Sequence, residues 1–414
     1  MCPPHVNTSE KELMKFTVSS QTVPPQGQNN LPWLNGVRGL AAFWVFVSHV
    51  LILCGARWIP ILSEGGLAVD LFMLLSGFLM THHYLLRRER EPWESAPTWH
   101  IFWVRRFFRI APLYYALLVV ALLAGPYLGQ MRHEIAVVWP NTATSASRYY
   151  DASLGNILAH ISFVFGAVPK YSFETPLPDW SIGLEMQFYL AFPFMMWGIA
   201  RFGAFKTGAA LILLCLFSVK VFRDFFHLFE MPSFLPMKLH IFFIGMWLAI
   251  GRAEKNMRTA VLAGIATALL SRLFMGESLQ LTALRVFMVV FLAYLMGNEI
   301  LPSCAPLDRT LSVVRRLFSN KVAIFLGDTS YGFYLLHLLI LLPVAGNLAL
   351  QPAYQHAPAA LRFGLCVVLT APLTYALAWL LHRSIETRFI RIGKMVGARV
   401  GRSGTGLRAD RHPG

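Results

Sequence analysis

Charge is what this sequence has least of. Only 14% of its 414 residues are charged, whereas a soluble chain carries about a quarter. Acidic residues are the scarcer sign, with 21 Asp and Glu against 36 Lys and Arg. That composition excludes a soluble enzyme with an ordinary solvated surface. The five cysteines, Cys2, Cys54, Cys215, Cys304 and Cys366, are scattered and form no Cys-x-x-Cys, which excludes a disulfide framework or a zinc site of that type. Histidines and carboxylates form no tight ligand set either, so no metal is expected. The first 30 residues lack the basic-then-apolar order of a cleavable leader. No internal repeat, direct or inverted, is visible, and such repeats are what many transporters are built from.

What the chain does have is apolar length. It is 56% hydrophobic with a mean hydropathy of +0.53. A helix needs about 20 residues to cross ~30 Å of hydrocarbon. Stretches near 34–54, 67–86, 107–125, 181–200, 207–221, 238–251, 259–276, 279–297, 324–345 and 360–382 read as spans, and 154–168 reads as re-entrant or interfacial. The expected fold is an all-α polytopic membrane protein of about ten transmembrane helices plus one short re-entrant or interfacial segment. A polar tail over 1–30 precedes a membrane domain over 31–390, and a basic, disordered tail follows over 391–414. Basic residues gather in alternate loops, among them Arg87, Arg88, Arg90, Arg105 and Arg106 in one and Arg252, Lys255 and Arg258 in another. That asymmetry places both termini in the cytoplasm. It also accounts for the net charge of +15 through topology and contact with anionic lipid, without nucleic acid.

Against this background, ionisable residues inside spans carry information, because each is costly in hydrocarbon and usually lines a functional interior. The first span holds Arg38 and His49, eleven residues apart. At 3.6 residues per turn they share a helix face, with His49 ~16 Å further along the axis. Arg285 is a further intramembrane charge, expected to pair with Glu277 or to line the far side of a site.

Several motifs then add up. Leu34-Asn35-Gly36-Val37-Arg38-Gly39-Leu40 leads to His49, and Gly66-Leu67-Ala68-Val69-Asp70-Leu71-Phe72 leads to Ser76-Gly77-Phe78. Arg105-Arg106-Phe107-Phe108-Arg109-Ile110-Ala111-Pro112 follows, then Trp180-Ser181-Ile182-Gly183-Leu184-Glu185 and Leu326-Gly327-Asp328-Thr329-Ser330-Tyr331, ending at His337. In this order they resemble the acyltransferase-3 family of bacterial integral-membrane O-acyltransferases over roughly 31–390. The resemblance implies transfer of an acyl group, acetyl in the first instance, from cytoplasmic acyl-CoA to a hydroxyl. The implied acceptor is a cell-surface polysaccharide or its lipid-linked precursor. It also implies a multi-pass protein of the bacterial inner membrane. Some members carry an SGNH domain, for which this chain has no room. Acyl-CoA is a co-substrate, and no permanently bound cofactor is expected.

The depth of each motif suggests two poles. Arg38, Arg106 and Arg109 lie toward the cytoplasm, and guanidiniums grip phosphates in bidentate fashion, so they are the acyl-CoA-binding candidates. His49, Glu185 and Asp70 converge toward the outer leaflet. His49 is the candidate base, with Glu185 or Asp70 to orient it, although Asp70 in a first turn also suits the helix dipole. Trp180, Ser330, Tyr331, Tyr334 and His337 are assigned to the acceptor or oxyanion side. Two rival readings are an acyltransferase of the same family acting on an antibiotic or other small metabolite, and a membrane transporter.

Overall fold

The structure is a computed structural model that describes residues 31–56, 59–89, 91–93, 95–297 and 305–409, and of 305–307 and 400–409 the backbone alone. The polar segment 1–30, Cys2, Cys304, Arg90 and the last residues of the basic tail therefore lie outside the described residues. The chain forms α1 (Pro32–Leu53), α2 (Gly65–Arg87), α3 (Ala96–Val138), α4 (Ser147–Tyr150), α5 (Leu154–Ile161) and α6 (Trp180–Phe202). It continues with α7 (Ala204–Val221), α8 (Arg223–His227), α9 (Leu235–Ala253), α10 (Met257–Met275), α11 (Leu279–Met296) and α12 (Ala305–Phe318). Then come α13 (Lys321–Asp328), α14 (Ser330–Ala349), α15 (Pro352–Gln355), α16 (Ala359–Leu381) and α17 (Thr387–Ala409), the last two joined by a π turn at His382–Glu386. No strand occurs among the described residues. The protein is an all-α polytopic membrane protein.

Among the described residues, eight helical segments are long and apolar enough to cross a membrane, fewer than the ten read from sequence. The two that fall short are α6 and α9. Both have the length, 23 and 19 residues, but Glu185 and Gln187 on one and Lys238 and His240 on the other dilute their apolar character. The segment 154–168 holds only the 8-residue α5, about 12 Å long and too short to cross. The basic tail departs further from expectation. Instead of disorder from 391, helix α17 runs on to Ala409 and packs along α3, with Gly393 seated on Phe108. Its apolar stripe gives it something to bury, which a merely charged tail would lack.

The span expected over 324–345 is two helices. Asn320 caps α13, its side chain accepting from the Ala323 N–H at 2.8 Å. At the break the Thr329 hydroxyl donates to Phe325 O at 2.8 Å and the Ser330 hydroxyl to Gly327 O at 2.7 Å. Such side chain–backbone bonds compete with a continuing helix. The bend lets α13 press onto α1 with backbone against backbone. A Cβ on Gly36 would lie 3.1 Å from the Ala323 Cβ of α13 and 2.2 Å from O of Phe318 at the end of α12, one on Gly39 2.7 Å from Gly327 N, and one on Gly327 2.2 Å from Asn35 O. The Asn35 amide donates to Asp328 at 2.6 Å across the same seam. A second glycine seam joins α2 to α9, where Cβ atoms on Gly77 and Gly245 would meet Phe242 O at 2.1 Å and Leu74 O at 1.9 Å. Within lipid, where tails are as apolar as side chains, close packing through small residues holds helices together.

Gly327→Ala therefore forces α1 and α13 apart and should cost about 1–3 kcal/mol, the usual range for overpacking, read as a lower unfolding temperature of the purified protein. Gly66→Ala, whose new Cβ meets nothing within 4 Å, should leave that temperature within error of the parent.

Candidate active site

The two glycine seams bring α1, α2, α6 and α14 around a polar interior. A cavity of about 720 Å³ opens at one end of it, with Arg38, Arg87, Arg105, Arg106, Arg109 and Lys394 in its wall against Glu91, Glu185 and Asp328. All three of those carboxylates are already engaged, Glu185 by Ser76 and Tyr189. Arg105 binds both oxygens of Glu91, at 2.7 and 3.0 Å, and Asp328 accepts from Asn35. Arg38 and Arg109 have no hydrogen-bonded partner among the described residues. The Arg106 guanidinium stacks over Phe102 and Tyr189 at 5.6 and 5.7 Å, which holds it flat while leaving N–H groups to bind an anion. Such a chamber suits a polyanion carrying several phosphates.

Deeper in, the chamber narrows at Arg38, Ser76 and Glu185, which also line a second pocket of about 50 Å³ together with Ser181, Ser330, Tyr331 and Tyr334. Glu185 is set by its own helix and by α2. Tyr189, one turn along α6, donates its hydroxyl to Glu185 Oε1, and Ser76 donates to the same oxygen at 3.0 Å.

The hydroxyls assigned to the oxyanion side are already committed. Tyr331 donates to Ile110 O at 2.8 Å, Ser330 to Gly327 O, and Tyr334 to Pro178 O at 2.6 Å. Ser181 then donates to the Tyr334 oxygen at 2.7 Å. Arg38 is the donor at the neck left without a hydrogen-bonded partner. Trp180 is buried at the start of α6, where no open face is left to stack on a sugar.

His49 lines neither cavity. Its Nδ1 lies 3.0 Å from Val45 O and 3.1 Å from His337 Nε2, while His337 Nδ1 lies 2.6 Å from Tyr334 O. A carbonyl only accepts, so both Nδ1 atoms carry hydrogen, and His337 Nε2 accepts from His49; the network makes this assignment. His49 Nε2 is left with a free lone pair, the form a general base requires. His337, assigned to the acceptor side by sequence, is thus the group that orients His49, and neither expected carboxylate does so.

Asp70 belongs to a different network. Lys238 donates to Asp70 Oδ1 at 2.7 Å, and Arg285 Nε donates to Oδ2 at 2.8 Å. Arg285 also pairs with Glu277, which accepts from Ser271 at 3.0 Å. With both oxygens bound, Asp70 locks α2 to α9 and α11 and does not face His49. The expected Arg285–Glu277 pairing is present.

Sequence reasoning left out Ser76, His83 and Lys394, which line the site, and a buried set in which Tyr114 and Thr175 donate to Asp179 at 3.0 and 2.8 Å beside Pro178. The i, i+4 spacing of Glu185 and Tyr189 was the one readable signal among these contacts.

Comparisons with known proteins identify the family. The family model described as an acyltransferase domain matches residues 31–379. The peptidoglycan O-acetyltransferase OatA of Listeria monocytogenes is 28% identical over 39% of this chain and 24% of its own length. A Staphylococcus aureus (strain COL) relative, an O-acetyltransferase by name, is 23% identical over 75% of this chain and 50% of its own length. The acyltransferase MdmB of Streptomyces mycarofaciens is 25% identical over 75% of this chain and 79% of its own length. The chain thus spans half or less of the first two relatives. No solved structure matches it.

Asp70→Asn should act on stability rather than chemistry. It leaves Lys238 buried without its counter-charge and Arg285 with Glu277 alone, and breaking a buried pair typically costs about 3–5 kcal/mol. Thermal unfolding should shift down sharply while the turnover of each folded molecule stays near that of the parent. A folded, parent-stable Asp70→Asn protein without activity would return Asp70 to the chemistry.

Proposed function

We propose that this chain, which belongs to the acyltransferase-3 family and is an integral-membrane acyltransferase, moves an acetyl group from acyl-CoA to a hydroxyl of a cell-surface glycan or its lipid-linked precursor. The observation that carries this reading is the neck. Arg38, Ser76 and Glu185 belong to both cavities, so a long donor can lay its phosphates among the arginines and pass its acyl end through to the smaller pocket. A CoA thioester has that form, with phosphates at one end and a narrow arm at the other. The printed names of two relatives, a peptidoglycan O-acetyltransferase and an O-acetyltransferase, support acetyl as the group and a wall glycan as the class of acceptor. We place the arginine chamber and both termini on the cytoplasmic side of the inner membrane, where the basic excess belongs. His49, only half-buried, then meets an acceptor arriving from the outer side.

In this reading His49 Nε2 takes the proton of the acceptor hydroxyl as its oxygen attacks the thioester carbonyl. The negative charge that develops on the carbonyl oxygen needs a preorganised donor close to His49, and Arg38, ~16 Å away along α1, serves instead to hold the donor's arm at the neck. Collapse breaks the C–S bond, the ester leaves on the acceptor, and the proton held by His49 ends on the CoA sulfur.

Two experiments on protein in lipid nanodiscs test the proposal. His49→Ala should lower acyl transfer by ~10²–10⁴-fold, the usual cost of losing a general base, with acyl-CoA binding retained; transfer near the parent rate would overturn the role of His49. Arg106→Ala or Arg109→Ala should raise the KM for acetyl-CoA roughly ten- to a hundredfold, the loss of one or so charge-assisted bonds, and Lys should restore only part of it. An unchanged KM would leave the arginines to topology. The acceptor class is read by NMR of surface-polysaccharide esters in a strain lacking the gene.

A further inference from the structure

A further cavity, which shares Asp328 with the arginine chamber, lies where α13, α16, the π turn and α17 meet. Its volume is about 740 Å³, and Lys321, Arg383 and Arg391 stand in its wall with His382, Asp328 and Trp379. Of the acidic groups near it, Asp328 is engaged and Glu386 keeps one buried oxygen, Oε1, without a partner. Asp328 accepts from Asn35, and Glu386, beneath it, faces His382 Nδ1 at 3.2 Å. Lys321, Arg383 and Arg391 have no carboxylate partner among the described residues. Arg383 lies over the Trp379 ring at 4.9 Å, which fixes its plane and leaves its N–H groups for an anion. The wall includes a π turn, a distortion that recurs at functional sites.

The surroundings distinguish this cavity from the arginine chamber. The two helices that wall it, α13 and α16, also carry exposed apolar side chains, Val322, Leu373 and Leu380 at 66%, 48% and 54%. Phe325 and Trp379 stand at the junction of the charged and apolar parts, the position that amphipathic rings take at a membrane interface. Three cations beside these exposed apolar side chains match a ligand with a phosphate head and acyl chains. Basic pockets between helices on the basic side of a membrane protein bind such headgroups. We propose that this cavity is a binding site for an anionic phospholipid, with the headgroup phosphate held by Lys321, Arg383 and Arg391 and the chains lying along α13 and α16. This site is independent of the acyl-transfer reading.

Native mass spectrometry of the full chain, purified in detergent and titrated with dioleoylphosphatidylglycerol or dioleoylphosphatidylcholine, tests it. The parent should retain phosphatidylglycerol at least about tenfold better than phosphatidylcholine, the equivalent of about 1.4 kcal/mol. The combined variant Lys321→Gln/Arg383→Gln/Arg391→Gln should lose most of that preference, and Arg201→Gln, an exposed cation at the end of α6, should keep it. If the combined variant does not fold, Arg383→Gln alone should still lower the preference severalfold. Equal retention of the two lipids, or a preference that survives the variants, overturns the site. Millimolar glycerol 3-phosphate or inorganic phosphate should fail to displace the lipid; displacement by either would assign the cavity to a soluble phosphate. Displacement by CoA would make it an extension of the arginine chamber, which also overturns the proposal.

Discussion

Everything placed at the site depends on the seam where α1 meets α13. Gly36 and Gly39 offer no side chain there, and Gly327 offers none in return, so the two backbones touch and Asn35 reaches Asp328. Water drives helices together in a soluble protein, but lipid does not, and close backbone approach takes over that role. The seam has two consequences. It holds Arg38, between the two glycines of α1, at the neck between the cavities. It also ends α13 at Asp328, so that α14 starts at Ser330 and brings His337 beside His49, about three helical turns beyond Gly39 on α1. A side chain at any of the three glycines would separate the parts of the site before it altered any group that does chemistry.

This seam explains what could be read from the sequence and what could not. Arg38 and His49 were legible because a helix has a fixed period and a charge in hydrocarbon needs a reason to be there. The glycines were visible as a motif, but which backbone each one meets is a long-range fact. The same limit applies to Asp70. Its depth matched that of His49, and depth is all that sequence supplies. Its partners Lys238 and Arg285 come from helices more than 160 residues away, and only the packing of α9 and α11 on α2 reveals them. The helical tail was hidden for a different reason. Its glycines and arginines read as solvated chain until α3 supplies the surface against which Gly393 can close. The helices α6 and α9 were read as spans by length, although their polar residues are what give them places at the centre.

Pairing separates the structural charges from the chemical ones better than burial does. Asp70, Lys238, Arg285 and Glu277 are buried and mutually satisfied. A set of this kind can fix how helices fit together, and it has no free valence for a substrate. Arg38, Arg109 and the Nε2 of His49 are left without partners in positions that water or substrate can reach. An unpaired charge in hydrocarbon is costly, and a protein that keeps two unpaired guanidiniums and one free imidazole nitrogen retains binding capacity that its own side chains could have filled. The contrast holds within one helix: on α2, Asp70 is fully bound, while Ser76, six residues on, gives its hydroxyl to a carboxylate at the neck.

The His49–His337 pair carries the same logic to the base. A carboxylate beside His49 would stabilise the imidazolium and hold a proton there, because separating an ion pair in a low-dielectric interior is expensive. A neutral imidazole fixes the tautomer and orientation of His49 by a hydrogen bond and places no counter-charge beside it. In transfer from a thioester to a hydroxyl the proton begins on the acceptor oxygen and ends on the leaving sulfur, so the base must release it as readily as it takes it. An orienting group without charge suits that cycle. It also gives the two carboxylates nearest in depth different tasks, Glu185 shaping the neck with Ser76 and Tyr189, and Asp70 holding the helices on which the neck is built.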